Sequence, residues 1–99
     1  MRIPFKPTIR WDDEASAFID ALVDSDIRYL DLPSAIEKVF EGKEYLAVSE
    51  PFVLDGRIHF LHRTPPFLNL PTLYVTFDVL DEGQLINILE IRFARESLQ

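Results

Sequence analysis

A chain of 99 residues that is 47% apolar and 12% aromatic, with eight Phe, has the material for one hydrophobic core and is too apolar for intrinsic disorder. It has no Cys, which excludes disulfides, thiolate nucleophiles and cysteine-ligated zinc or iron–sulfur sites, and its seven Pro against three Gly exclude a glycine-rich phosphate loop. A net charge of −7 repels phosphate backbones at long range and disfavours nucleic acid as a direct partner.

That charge is unevenly spread. Residues 1–11 carry three basic groups and no acid, residues 12–55 carry twelve acids against three bases, and residues 56–99 are nearly balanced. Between Gly56 and Phe77 the chain holds Arg57, His59, His62 and Arg63 with no carboxylate. The opening stretch MRIPFKPTIRW is interrupted by charges and prolines and so lacks the unbroken apolar run of a signal peptide. The longest uncharged run, Thr64 to Phe77, contains three prolines and is too short to cross a bilayer as a helix. The expectation is a soluble, cytoplasmic protein in which residues 1–99 form a single domain, with no membrane association.

In chain order, Ala15, Phe18, Ile19, Leu22 and Val23 recur at the three-and-four spacing of an amphipathic helix, which is expected over about 13–25. Asp12 or Asp13 is placed to cap it, and acids in the first turn suit the helix dipole. Asp31, Leu32 and Pro33 then read as a cap with a first-turn proline, and Ala35, Ile36, Val39 and Phe40 give a second helix over about 33–41, ending before Gly42. After Lys43 the pattern turns to strand, with Tyr45–Val48 as a short apolar run and Phe52–Leu54 leading into Asp55-Gly56, a favoured two-residue hairpin centre. The returning strand alternates, with Ile58 and Phe60 on one face and Arg57, His59 and Leu61 on the other.

The proline-rich segment 64–71 reads as a loop, and 72–93 as a second hairpin turning at Asp81, Glu82 and Gly83. Leu73, Val75, Phe77 and Val79 should face one way, with Leu85, Asn87, Leu89, Ile91 and Phe93 alternating along the partner strand. Apolar Ile86 and Ile88 make that last strand central in its sheet. Two helices ahead of a run of strands exclude a βαβ repeat and point to an α+β fold, with the helices packed on an antiparallel β-sheet.

Few residues offer chemistry. His59 and His62 are three apart on a strand and should point to opposite faces, so they make a poor metal pair, and no metal or cofactor is expected. The serines lack a nucleophile elbow. Asp78, Asp81 and Glu82 fall short of a calcium loop, and Trp11 with Phe5 is better suited to anchoring the N-terminal segment than to stacking on a base. The cations Arg57, His59, Arg63, Arg92 and Arg95 can converge on one rim to bind an anion or an acidic segment, or can instead pair with the chain's own carboxylates. Beside them, Phe67 and Leu68 lie in the proline-stiffened loop, where they can either meet a partner or fold back over the sheet. The expected binding surface is therefore Arg57, His59, Arg63, Phe67, Leu68, Arg92 and Arg95, with no catalytic residue assigned.

The order of an extended N-terminal segment, two helices and antiparallel strands, together with LYVTFDVLDEGQLINILEIRFARES at residues 73–97, resembles the RelE/ParE superfamily of toxin–antitoxin toxins. The resemblance implies a RelE/ParE-like fold, a cognate antitoxin as protein partner, and action on the ribosome or on DNA gyrase. Ribonuclease members place a cation in the strand matching residues 73–80 and often a late Tyr or His. Tyr74 stands at the first position here, no Tyr follows it, and only Arg92 and Arg95 remain in matching territory. The expected role is therefore protein binding without the full ribonuclease set, nucleic acid being met only through the ribosome. A second copy of the chain is a further candidate partner. The competing reading is a non-catalytic acidic interaction module, unrelated to toxins, whose acidic helical half meets a basic partner.

Overall fold

The structure is a computed structural model, which describes residues 6–42, 44–64 and 72–94. It is an α+β arrangement of three α-helices and one five-stranded sheet. Strand β1 (Thr8–Trp11) leads into α1 (Asp13–Ser25), a single 3₁₀ turn (Ile27–Tyr29), α2 (Leu32–Lys38) and α3 (Glu44–Val48). Strands β2 (Glu50–Leu54), β3 (Arg57–Arg63), β4 (Leu73–Leu80) and β5 (Leu85–Phe93) follow as an antiparallel meander. The sheet order is β1-β5-β4-β3-β2.

The sheet is mixed, which corrects the expectation of a purely antiparallel one, because β1 joins β5 in parallel. The reason lies in burial. Ile86 and Ile88 on β5 are fully buried, and β1 sets Ile9 and Trp11 directly beside them. The Trp11 indole Nε1 donates to Glu37 Oε2 at 2.8 Å, tying the edge strand to α2. The core joins Ala15 and Ile19 of α1 and Leu32 and Ile36 of α2 to Leu73, Val75 and Phe77 of β4 and Ile86, Ile88 and Ile91 of β5.

Helix α1 has the bounds expected from its apolar spacing, although Asp12 at its N-cap makes no side-chain capping bond, and neither does Asp31 ahead of α2. Helix α2 stops at Lys38, short of the expected residue 41, and Phe40 beyond it turns inward to meet Phe77 edge-on with ring centroids 4.8 Å apart. Tyr45–Val48 is helical rather than extended. A strand there would bury alternate residues, whereas one anchor is used: Tyr45 packs edge-on against Phe40 and Phe77 at 5.2 and 5.8 Å, and Leu46 and Val48 stay exposed.

Strand alternation holds on β4 but breaks on β5. The register shifts between Thr76 and Phe77, leaving Leu89 without a partner in the ladder, so Ile86 and Ile88 share the helix-side face with Ile91 and Phe93. The expected grouping of Leu85, Asn87, Leu89, Ile91 and Phe93 on one face is corrected accordingly. Phe93 meets Phe18 of α1 edge-on at 5.2 Å, which fixes that side. The β4–β5 turn holds three consecutive left-handed residues, Asp81, Glu82 and Gly83, two of which carry a side chain.

Candidate functional site

The helices cover one face of the sheet. On the other, the pairing registers set side chains into cross-strand rows. One row runs Arg10, Asn87, Asp78, His59 and Phe52 across β1, β5, β4, β3 and β2. Arg10 Nε donates to Asn87 Oδ1 at 3.2 Å, His59 Nδ1 is hydrogen-bonded to Asp78 Oδ1, and the Phe52 ring lies 5.6 Å from the imidazole. His59, Asp78 and Asn87 are all buried. A carboxylate only accepts, so His59 Nδ1 carries the proton of that bond, and the other ring nitrogen has no hydrogen-bond partner among the described residues.

A second row holds Arg63, Tyr74 and Arg92 on β3, β4 and β5. The Arg92 guanidinium sits over the Tyr74 ring at 5.4 Å from its centroid, a cation–π contact. On this face lies a shallow groove of about 620 Å³, floored by Phe52, Leu54, Leu61 and Thr76 and edged by Glu50, Glu90 and Arg92. Among the described residues, Arg57, Arg63 and Arg92 form no ion pair with a carboxylate.

The structure therefore brings Arg63 and Arg92 into one row, flanking Tyr74, and puts His59 in the neighbouring row. Arg57 shares their face but stands apart, opposite Leu54 where the β2–β3 hairpin closes. Phe67, Leu68 and Arg95 lie outside the described residues. His62 points to the helix side, beside Val75, with its Nδ1 3.4 Å from the Ser49 hydroxyl. Burial holds its pKa below the usual histidine value of 6.5. The binding surface expected from the sequence does not include Tyr74, Asn87 or Arg10, and Asp78 enters there only as part of an incomplete calcium loop. The alternation Tyr74, Thr76, Asp78 along β4 is the signal that marks a polar face there.

Comparison of the chain with protein-family models, with curated proteins and with solved structures finds no match. Among the described residues, no helix is long and apolar enough to cross a membrane, and no group of three or more His, Asp or Glu is arranged to hold a metal ion.

Proposed function

We propose that this chain is a protein-binding module of the RelE/ParE-like kind, which grips a segment of its protein partner on the face of the sheet opposite α1 and α2. The observation that carries this reading is the row Arg63, Tyr74, Arg92 beside a groove floored by Phe52, Leu54 and Leu61. Cations that form no ion pair among the described residues, next to an apolar floor, suit a partner segment that combines carboxylates with apolar side chains, such as an antitoxin would present. The overall charge of −7 supports a protein rather than a nucleic acid as the direct contact.

The toxin-family part of the proposal rests on the resemblance of residues 73–97 and on the order of elements. Induced expression in a bacterial host should arrest growth, and this reading requires the neighbouring reading frame to encode a small antitoxin-like protein whose co-expression relieves the arrest by forming a complex. Arg63→Glu with Arg92→Glu should weaken that complex at least about tenfold while shifting Tm by no more than about 2 °C, as expected for charges on an exposed rim.

One observation favours the acidic-module reading instead: Asp13, Glu14, Asp20 and Asp24 are all exposed along α1. If expression leaves growth unaffected and Asp20→Lys with Asp24→Lys abolishes binding that the arginine reversals spare, that second reading replaces the first.

A further inference from the structure

We infer that His59 is the general base of an ester-hydrolysing site on the face of the sheet opposite α1 and α2, with Asp78 as its positioning residue and Arg57 beside it to meet the charge that develops on the acyl oxygen. The two imidazole nitrogens of His59 are treated unequally. Nδ1 carries a proton and donates it to the buried Asp78 carboxylate, so in the neutral ring Nε2 holds the lone pair. Among the described residues no fully buried side-chain nitrogen or oxygen lacks a hydrogen-bond partner, and Nε2 has none, so Nε2 belongs to the 9% of His59 that stays exposed. An imidazole held by a carboxylate at one nitrogen, with its basic nitrogen at the surface, is oriented to take a proton from outside the chain.

The strand registers supply its surroundings. Arg57 precedes His59 by two positions on β3, so the two side chains share a face with Cα atoms about 7 Å apart. Arg57 is exposed and forms no ion pair among the described residues. On β2, Leu54 stands opposite Arg57 and Phe52 opposite His59, and both apolar residues also line the groove on this face. An exposed basic nitrogen, a cation beside it and an apolar wall that continues into a groove suit a carboxylic ester with an apolar acyl chain. One cation matches the single negative charge of a tetrahedral oxyanion. A phosphoester is charged before it reacts, and a net charge of −7 with Glu50 and Glu90 at the groove disfavours it.

In the inferred step Nε2 takes a proton from water as the water oxygen bonds to the acyl carbon, and the carbonyl π pair moves onto the oxygen beside Arg57. The tetrahedral species then expels the alcohol oxygen, which takes the proton back from Nε2. Ester and water become acid and alcohol with no other reactant. The Asp78 carboxylate offsets the imidazolium charge between the two transfers. This chemistry goes beyond the partner reading above and does not use the row Arg63, Tyr74 and Arg92, so growth arrest and complex formation test one and turnover by the chain alone tests the other.

The probe is p-nitrophenyl butyrate. The purified chain should hydrolyse it over many turnovers, with kcat/KM at least about tenfold above the second-order rate constant of free imidazole under the same conditions. His59→Gln can still donate to Asp78 but has no base, and should bring hydrolysis down to the uncatalysed rate. His62→Asn, on the helix side, should leave kcat/KM within about twofold of the parent. Asp78→Asn keeps an acceptor for Nδ1 and loses the charge, so kcat should fall at least about tenfold with KM within about twofold, a split that a purely structural role does not produce. Arg57→Gln changes an exposed residue at the hairpin end, so it should leave Tm unaltered while lowering kcat about tenfold, a result that does not depend on the folding of the buried variants. Hydrolysis no faster than with free imidazole, equal losses in His59→Gln and His62→Asn, or an unchanged kcat in Arg57→Gln would each overturn the inference.

Discussion

His59 Nδ1 on β3 is bonded to the Asp78 carboxylate on β4, and both residues are buried although they lie on the sheet face that no helix covers among the described residues. Neither is close to the other in sequence, and their bond fixes the register of two strands on the face where apolar packing does least. Removing the acceptor leaves a buried imidazole N–H without a partner. Asp78→Ala should therefore lower stability by about 1–3 kcal/mol in urea unfolding, and double substitution with His59→Phe should cost less than the single change. Equal losses in the single and double variants would show that the pair has no such coupling.

At the centre of the core, Phe77 touches Phe40, Tyr45 and Phe60, with ring centroids 4.8, 5.8 and 5.6 Å away, and is itself fully buried. Its truncation opens a cavity lined by three aromatic rings from separate stretches of the chain. Phe77→Ala should cost about 3–5 kcal/mol, enough to unfold most of the population of a domain this small at 37 °C. A cooperatively folded variant with an unchanged melting temperature would contradict the placement of this residue.

His62 gives the stability a pH dependence of defined sign. Burial disfavours its charged form, so the folded chain holds the residue neutral at pH values where the unfolded chain, titrating near 6.5, already takes up a proton. The unfolded state then binds more protons, and stability falls as pH drops below about 7 until the depressed folded pKa is reached. His62→Asn should flatten the curve of ΔG against pH between about 7 and 5 relative to the parent chain, whatever its effect on absolute stability. An unaltered slope would show that other groups carry the dependence.

The β4–β5 turn offers a stabilising change. Asp81 and Glu82 both occupy the left-handed region, at φ 53° and 55°, where a side chain with a Cβ is strained by about 1–2 kcal/mol. Glu82 is exposed and makes no side-chain hydrogen bond or ion pair among the described residues. Glu82→Gly should raise stability by about 0.5–1 kcal/mol after its entropic cost, and Glu82→Val should lower it. Thermal unfolding of the two variants checks the pair of signs. Gly83 next to it is buried at φ 92° with open space at its Cβ position, so Gly83→Ala should be destabilising through the backbone alone.

The sequence by itself determined what depends on local spacing. The apolar period of Ala15, Phe18, Ile19 and Leu22 set the bounds of α1, Asp55-Gly56 set the first hairpin, and strict alternation set the two faces of β3. Tertiary structure decided what depends on contacts distant in sequence. Tyr45–Val48 has strand composition, yet it coils because a single ring, Tyr45, finds Phe40 and Phe77. β1 joins β5 in parallel and sets Ile9 and Trp11 beside the buried Ile86 and Ile88, a pairing of segments from opposite ends of the chain. The bulge at Thr76/Phe77 moved Ile91 and Phe93 to the helix side, a slip of one residue that no periodicity announces. Arg63 and Arg92 could be named as candidates from composition. That Tyr74 stands between them was fixed only by the register of three strands, since side chains 29 positions apart meet by ladder geometry and not by spacing along the chain.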